Sequence, residues 1–133
     1  MPNKKLALEW LEKAWHDLES ARILFDANHF TDVIGIDLQQ GIEKTLKSLL
    51  AYQNKKIIKT HNLIILADES KNLIFLNEDQ TRLFELATLY YKEGRYPDFN
   101  TEMPEKKDII DIMNLAYNLY YQAVKIVDNQ NKP

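Results

Sequence analysis

The 133-residue sequence contains no cysteine, only three glycines and four prolines, and no long apolar run. Without cysteine, disulfide scaffolds, thiolate zinc sites and cysteine nucleophiles are excluded. So few glycines and prolines indicate long regular elements joined by few turns. Because no apolar run approaches the ~20 residues that span a bilayer, we expect a soluble, cytoplasmic chain with no membrane partner.

The sequence also lacks the usual signatures of several enzyme classes. It has no Gly-rich phosphate loop, no Gly-x-Ser-x-Gly elbow and no His-Glu-x-x-His motif. Its three histidines form no close pair, so we predict neither a bound metal nor a cofactor. The net charge of −3 excludes a generally basic nucleic-acid coat but permits a local basic patch.

Apolar residues recur at three- and four-residue spacing in three long segments, and no strand-like alternation competes with them. The stripe of the first helix is Ala7, Leu11, Ala14, Leu18, Ala21 and Phe25; that of the second, predicted over about Thr31–Tyr52, is Ile34, Leu38, Ile42, Leu46, Leu49 and Leu50; that of the last, opening near Pro104, is Ile109, Ile112, Ala116, Leu119, Ala123 and Ile126.

Capping signals place the remaining helix ends. Asn28 or Thr31 is expected to cap the second helix. Thr60 is expected to cap a third helix that runs to about Ser70, with His61 in its first turn.

A fourth helix follows from the same kind of signal. Asn77 and Gln80 have capping-box spacing, and Gly94 is expected to close this helix in a left-handed conformation after Tyr91–Glu93. The sequence therefore predicts an all-α bundle of five helices, three long and two shorter. We expect a single domain over 1–133, with an ordered core of about 6–127 and a frayed polar tail at 128–133.

A polar stripe on the second helix is the first candidate site. Asp37, Gln40, Lys44 and Lys47 are spaced three or four residues apart, with Gln39 and Glu43 beside them. Side chains at this spacing share a helix face and can converge on one ligand. The alternative is an ordinary solvated face.

The second candidate is the segment Lys55–Asn62, which carries Lys59 and His61. Lysines before a helix N-terminus favour a bound phosphate, and positive surroundings favour a neutral imidazole. The alternative is a solvated linker with a capping Thr-His pair.

The third candidate is the tyrosine-rich segment Tyr90–Asp98. Arg95 can pair with a phosphate while Tyr91 or Tyr96 stacks on a base. Alternatively, Arg95 pairs with Asp98 or with a carbonyl at the helix C-terminus.

Four segments, taken in order, resemble the HEPN family, the higher eukaryotes and prokaryotes nucleotide-binding domain. They are Trp10-Leu11-x-x-Ala14-x-x-Asp17-Leu18-x-x-Ala21, Gln39-Gln40-Gly41-Ile42-Glu43-Lys44-x-Leu46-Lys47, Lys59-Thr60-His61-Asn62-Leu63 and Tyr90-x-x-x-x-Arg95-Tyr96-Pro97-Asp98.

The resemblance implies an up-and-down helical bundle that forms a homodimer. It also implies a protein partner of the minimal nucleotidyltransferase type, in a toxin–antitoxin pair, and a nucleotide or RNA ligand. Ribonuclease members of the family carry an arginine followed after four to six residues by a histidine. No histidine follows Arg95, and Arg22 with His29 has the spacing only at the end of the first helix, where the family does not place the motif.

We therefore predict a homodimeric module that binds a nucleotide or RNA phosphate. The predicted ligand-binding residues are Asp37, Gln40, Lys44, Lys47, Lys59, His61, Tyr91, Arg95 and Tyr96. Apolar side chains off the main stripes, Leu8, Trp10, Ile36 and Tyr121, are expected at contacts with a partner.

Two alternatives remain open at this point. One is a metal-independent endoribonuclease toxin with His61 and Arg95 as the catalytic candidates, or with the Arg22/His29 pair in place of His61. The other is a purely structural protein-interaction module.

Overall fold

The computed structural model describes residues 3–97 and 102–128, and within them all regular structure is helical. The five helices are α1 (Lys4–Asp26), α2 (Thr31–Tyr52), α3 (Leu63–Asp68), α4 (Glu78–Glu93) and α5 (Lys106–Asp128). The predicted all-α class, with three long and two shorter helices, is confirmed. Asp98 and residues 129–133, most of the predicted tail, lie outside the described residues.

Helices α1 and α2 run antiparallel and approach closely. At one end the Asn3 amide donates to the carbonyl of Ala51 at 3.3 Å. Near the middle, a Cβ on Gly41 would lie 2.4 Å from Cδ2 of Leu18, so any larger residue would force the buried Leu18 side chain to move.

Helix α5 packs antiparallel to α1 and also contacts α2. In the middle of both helices the Tyr117 hydroxyl donates to the Leu18 carbonyl at 3.1 Å. At the start of α5, Lys106 donates to the side chain of Asn28, which follows the C-terminus of α1. Helix α2 therefore occupies the centre and contacts the other four helices.

Burial follows the predicted apolar stripes. On α2 all six predicted inward residues are at most 1% exposed: Ile34, Leu38, Ile42, Leu46, Leu49 and Leu50. The stripes of α1 and α5 are also buried, apart from the half-buried Phe25 and Ile126 near their ends. Each fully buried leucine or isoleucine adds about 1.5–3 kcal/mol of burial free energy, so these stripes hold the bundle together.

The predicted cap of α2 is wrong. Phe30 occupies the N-cap position without a side-chain hydrogen bond, and Thr31 is already the first helical residue. Asn28 instead adopts a φ of 57° in the turn after α1, a conformation that asparagine tolerates better than most residues.

Helix α3 is shorter than predicted, and Thr60 is not its cap. Asn62 takes that position, because its Oδ1 accepts from the amides of Ile64 and Ile65. The Thr60 hydroxyl accepts from the Asn62 amide, one step earlier in the turn. His61 consequently lies before the helix and outside its first turn.

Helix α4 begins with the predicted capping box of Asn77 and Gln80 and ends at Glu93 as expected. The predicted left-handed conformation of Gly94 is wrong, since its φ is −65°. A Cβ there would lie 2.5 Å from the Tyr90 carbonyl oxygen, so the position favours glycine because space is lacking. Helix α5 begins at Lys106, two residues after the predicted start.

No helix in residues 3–97 and 102–128 is long and apolar enough to cross a membrane.

Candidate functional site

Glu43 is the centre of a buried polar network on α2. Its side chain is 5% exposed, and its Oε2 accepts from the Lys47 ammonium at 3.0 Å. Its Oε1 lies 2.8 Å from Nδ1 of His61 and 3.1 Å from the Gln39 amide nitrogen. The Gln40 amide donates to the same oxygen at 3.3 Å.

These donors determine the charge of Glu43. Burial raises the pKa of its carboxyl, but hydrogen bonds from His61, Lys47 and Gln39 outweigh that effect and hold the pKa below its ordinary value. Glu43 is therefore an ionised acceptor at neutral pH.

His61 is fixed from both sides although its side chain is 56% exposed. Its backbone carbonyl accepts from the Gln39 amide at 2.8 Å, and its ring centroid lies 4.4 Å from that of Tyr91 on α4. The sequence predicts positive surroundings for this imidazole. That prediction is wrong, because the ionisable group closest to the ring is the negatively charged Glu43 carboxylate.

Arg95 extends the same cluster from the end of α4. Its guanidinium carbon lies 4.2 Å from the Tyr91 ring centroid and 5.2 Å from that of Tyr96, both within cation–π range. Its Nε donates to the Tyr91 carbonyl at 3.0 Å, the helix C-terminal pairing foreseen as the alternative role. The arginine is thus held against its own helix.

An open cavity of about 480 Å³ lies over this cluster. Its lining residues are His61, Asn62, Thr88, Tyr91, Lys92, Arg95 and Tyr96. Two of them, Lys92 and Arg95, carry a positive charge, and no acidic residue is among the described residues that line it. Cationic side chains therefore outnumber anionic ones among the described lining residues, in a chain whose net charge is −3.

The predicted stripe on α2 divides between two neighbours. Asp37 accepts from the Ser20 hydroxyl at 2.8 Å, and Lys44 pairs with Asp17 at 2.7 Å, so both side chains face α1. Burial raises the pKa of Asp37, and the nearby Asp17 adds to that rise, whereas Ser20 and Lys44 lower it.

The other half of the stripe lies with His61. Gln40 and Lys47 join the Glu43 network, and the Lys47 ammonium sits 5.6 Å from the Trp10 ring centroid. Lys47 is 8% exposed. The cleft therefore includes His61, Tyr91, Arg95 and Tyr96, whereas Lys47 reaches it only through Glu43.

The lysine-rich segment Lys55–Asn62 does not form a phosphate site with the backbone amides at the start of α3. Lys59 is exposed ahead of His61, and Lys55 donates to the Glu69 carbonyl at 2.6 Å. The Leu63 amide donates to the Thr88 hydroxyl, and the next two amides donate to Asn62. These helix N-terminal donors already have protein acceptors.

Arg22 and His29, which have the spacing of the ribonuclease motif, make contacts with different residues. Arg22 pairs with Glu19 and Asp26 on its own helix, while the exposed His29 ring contacts Phe30. In the described ranges no three His, Asp or Glu side chains stand close enough to hold a metal ion.

Sequence reasoning missed two roles in this site. Glu43 was predicted as a neighbour of the stripe and of Lys47, four residues away, but its contact with His61 was not predicted. Lys92 lies one turn before Arg95, in the last turn of α4, and that spacing is the signal that it shares the cavity.

The chemistry available here is anion binding beside a held imidazole. A guanidinium pairs with phosphate oxygens, an aromatic ring stacks on a base, and an imidazole accepts or donates a proton. The class of protein is therefore a five-helix bundle. Cationic side chains line its cleft, which lies between the start of α3 and the end of α4.

Comparison with known proteins places the chain within that class. The family model described as the HEPN domain matches residues 7–127, and the chain therefore belongs to the HEPN domain family. No curated protein matches the sequence.

Two solved structures share the fold. One is TT1696 from Thermus thermophilus, 22% identical with a TM-score of 0.76, covering 90% of this chain and 96% of that chain. The other is ST0689, an archaeal HEPN homologue, 22% identical with a TM-score of 0.68, covering 91% of this chain and 97% of that chain. At this identity the likeness concerns the fold alone.

Proposed function

We propose that this HEPN protein binds a phosphate-bearing ligand, a nucleotide or an RNA, in the cleft over His61, Tyr91 and Arg95. The observation that carries the proposal is the charge of the cleft: the cations Lys92 and Arg95 line it beside His61, and none of its described lining residues is Asp or Glu. A cavity of about 480 Å³ is within the size range of small-molecule sites.

The residues divide the work by their chemistry. The Arg95 guanidinium, oriented by its bond to the Tyr91 carbonyl, pairs with phosphate oxygens. Lys92 adds a second positive charge from the preceding turn. Tyr96, 49% exposed, offers a ring for a base.

Titration calorimetry with ATP, GTP and a short RNA tests the proposal. We expect binding to at least one ligand and a loss of about tenfold or more in Arg95→Ala, as for a charge-assisted bond worth about 1.5–3 kcal/mol. Arg82→Ala is the matched control, since Arg82 is an exposed arginine on the same helix that pairs with Asp79. Absence of binding to all three ligands would overturn the proposal.

The contact between Glu43 and His61 favours a second candidate function, metal-independent RNA cleavage. Such cleavage needs a base for the 2′-hydroxyl and a cation for the charge that develops on phosphate. His61 and Arg95, the catalytic candidates, line one cavity. Total RNA left unchanged by the purified protein in EDTA would end this idea.

We also propose a homodimer, and a nucleotidyltransferase-type partner in a toxin–antitoxin pair. Leu8 and Tyr121, two of the predicted contact residues, are 41% and 51% exposed. A monomer by light scattering at micromolar concentration would refute the dimer. Co-purification with a neighbouring gene product, without any nucleotide effect, would favour the purely structural role.

A further inference from the structure

We propose that Glu43 is a positioning residue that fixes the tautomer of the neutral His61 ring, so that Nδ1 carries its single proton and Nε2 is presented to the cleft as a hydrogen-bond acceptor. A neutral imidazole has one donor and one acceptor nitrogen, and the bond made by one nitrogen decides the role of the other. The inference rests on the proposed function only where it concerns the ligand.

The surroundings of Oε1 of Glu43 determine which His61 nitrogen carries the proton. This oxygen receives the Gln39 and Gln40 amides and lies 2.8 Å from Nδ1. An ionised carboxylate only accepts, so a lone pair on Nδ1 would face the negative oxygen without a proton between them. The stable arrangement has Nδ1–H donating to Oε1.

Glu43 itself cannot turn away from His61. Its second oxygen is held by the Lys47 ammonium, and the side chain is 5% exposed. Gln39 bridges Glu43 and the His61 carbonyl, which ties the backbone of the histidine to the same carboxylate. The ring then lies against Tyr91, so both its position and its rotation are restricted.

An acceptor nitrogen is unusual in this cleft, whose charged lining groups, Lys92 and Arg95, are donors. A ligand that satisfies all of them carries a hydroxyl close to its phosphate. A ribonucleotide has such a hydroxyl at the 2′ position, and a 2′-deoxyribonucleotide does not. The cleft is therefore selective for ribonucleotides, because an unpaired acceptor facing the ligand lowers affinity.

The tautomer can be measured without any ligand. Two-bond ¹⁵N–¹H spectra of the full chain, taken on the alkaline plateau of the histidine titration, distinguish Nδ1–H from Nε2–H. His61→Asn identifies the signal, and the exposed His16 and His29 are internal references. We expect Nδ1–H at His61 alone; an Nε2–H tautomer there would overturn the proposal.

Two variants separate Glu43 from its surroundings. Glu43→Met with Lys47→Met removes the ion pair as a whole, a replacement that buried pairs often tolerate, and His61 should then approach the spectrum of the references. Lys47→Met alone keeps the carboxylate and should keep Nδ1–H. An unchanged His61 spectrum in the double variant would refute the positioning role.

Ligand selectivity gives the second readout. We expect the wild type to bind a ribodinucleotide about tenfold tighter than its 2′-deoxy counterpart, and the double variant to lose that ratio. A structural role of Glu43 would weaken both ligands equally. If the wild type binds neither dinucleotide, the proposed function fails while the spectra still decide the tautomer; equal binding of the two by the wild type overturns the selectivity.

Discussion

The two sides of α2 each carry a lysine–carboxylate pair, and the shorter pair is the less important one. Towards α1, Lys44 and Asp17 are 2.7 Å apart with side chains 25% and 24% exposed. Beneath His61, Lys47 and Glu43 are 3.0 Å apart but only 10% and 5% exposed. Water screens the first pair and not the second. Burial rather than distance therefore decides how much stability is lost when one partner of each pair is removed.

The carboxylates on the two sides also differ in their titration. Asp37, facing α1, has a raised pKa because burial is offset by little more than one hydroxyl donor. Glu43 has a lowered pKa because hydrogen bonds from His61, Lys47 and Gln39 outweigh the rise that burial causes. His61 lies on the side of α2 where both oxygens of the carboxylate, that of Glu43, accept hydrogen bonds.

Removing Glu43 should have the largest effect on stability. We expect Glu43→Ala to lower the free energy of unfolding by about 3–5 kcal/mol, since it leaves the Lys47 ammonium buried without a partner. Asp17→Ala should cost about 1 kcal/mol or less, because Lys44 can reach water. Urea unfolding of the two variants measures the difference, and equal losses would contradict the comparison.

The paired replacement of Glu43 and Lys47 by methionine sharpens the same test. Most of the lost stability should return, because no charge remains buried. A double variant as unstable as Glu43→Ala would mean that packing, and not charge, accounts for the loss.

The cap of α3 should have an intermediate effect. Asn62→Ala should destabilise by about 1 kcal/mol, since the Ile64 and Ile65 amides lose their acceptor. The same change should weaken ligand binding, because His61 is the preceding residue. Thr60→Ala, which removes a single acceptor, is the control in thermal unfolding and calorimetry; a larger loss there would identify Thr60 as the main anchor.

The smallest effect is expected at Asp37. A raised folded-state pKa means that its contribution to stability is present at low pH and lost as pH rises through that pKa. Asp37→Asn, which still accepts from Ser20, should therefore stabilise by up to about 0.5 kcal/mol at neutral pH and by nothing near pH ~3.

Glu43 has the opposite sign. Its lowered pKa contributes stability above the ordinary value of 4.5, and that stability is lost as pH falls through the folded value. Unfolding of the wild type and Asp37→Asn along a pH series measures both. Stabilisation by Asp37→Asn that persists in acid would rule out the charge as its cause.

Local patterns were sufficient for most of the fold. The bounds Thr31–Tyr52 and the capping box at Asn77 follow from periodicity and side-chain chemistry within a few residues. The cap of α3 was assigned to Thr60 because Thr60 and Asn62 are both capping residue types and lie two positions apart. The left-handed conformation was assigned to Gly94 because the usual reason for a glycine after a helix is its φ, whereas here the Tyr90 carbonyl leaves no room for a side chain.

The candidate site was only partly predictable for a different reason. His61, Tyr91 and Arg95 were chosen for their types, and they line one cavity. Which helix each side chain of α2 meets depends on the packing of whole helices, so the pairing of Lys44 with Asp17, away from His61, could not be deduced from spacing along α2. The ligand-binding roles of the candidate residues stay predictions.

Trp10 gives the molecule an internal optical probe. Its ring lies over the Lys47 ammonium, and its buried Nε1 has no hydrogen-bond partner among the described residues. Trp15, the other indole, packs with Tyr117 and Tyr120 between α1 and α5. In a Trp15→Phe background, fluorescence would come from one indole that contacts, through Lys47, the network beneath the cleft, and its emission would follow events there in real time.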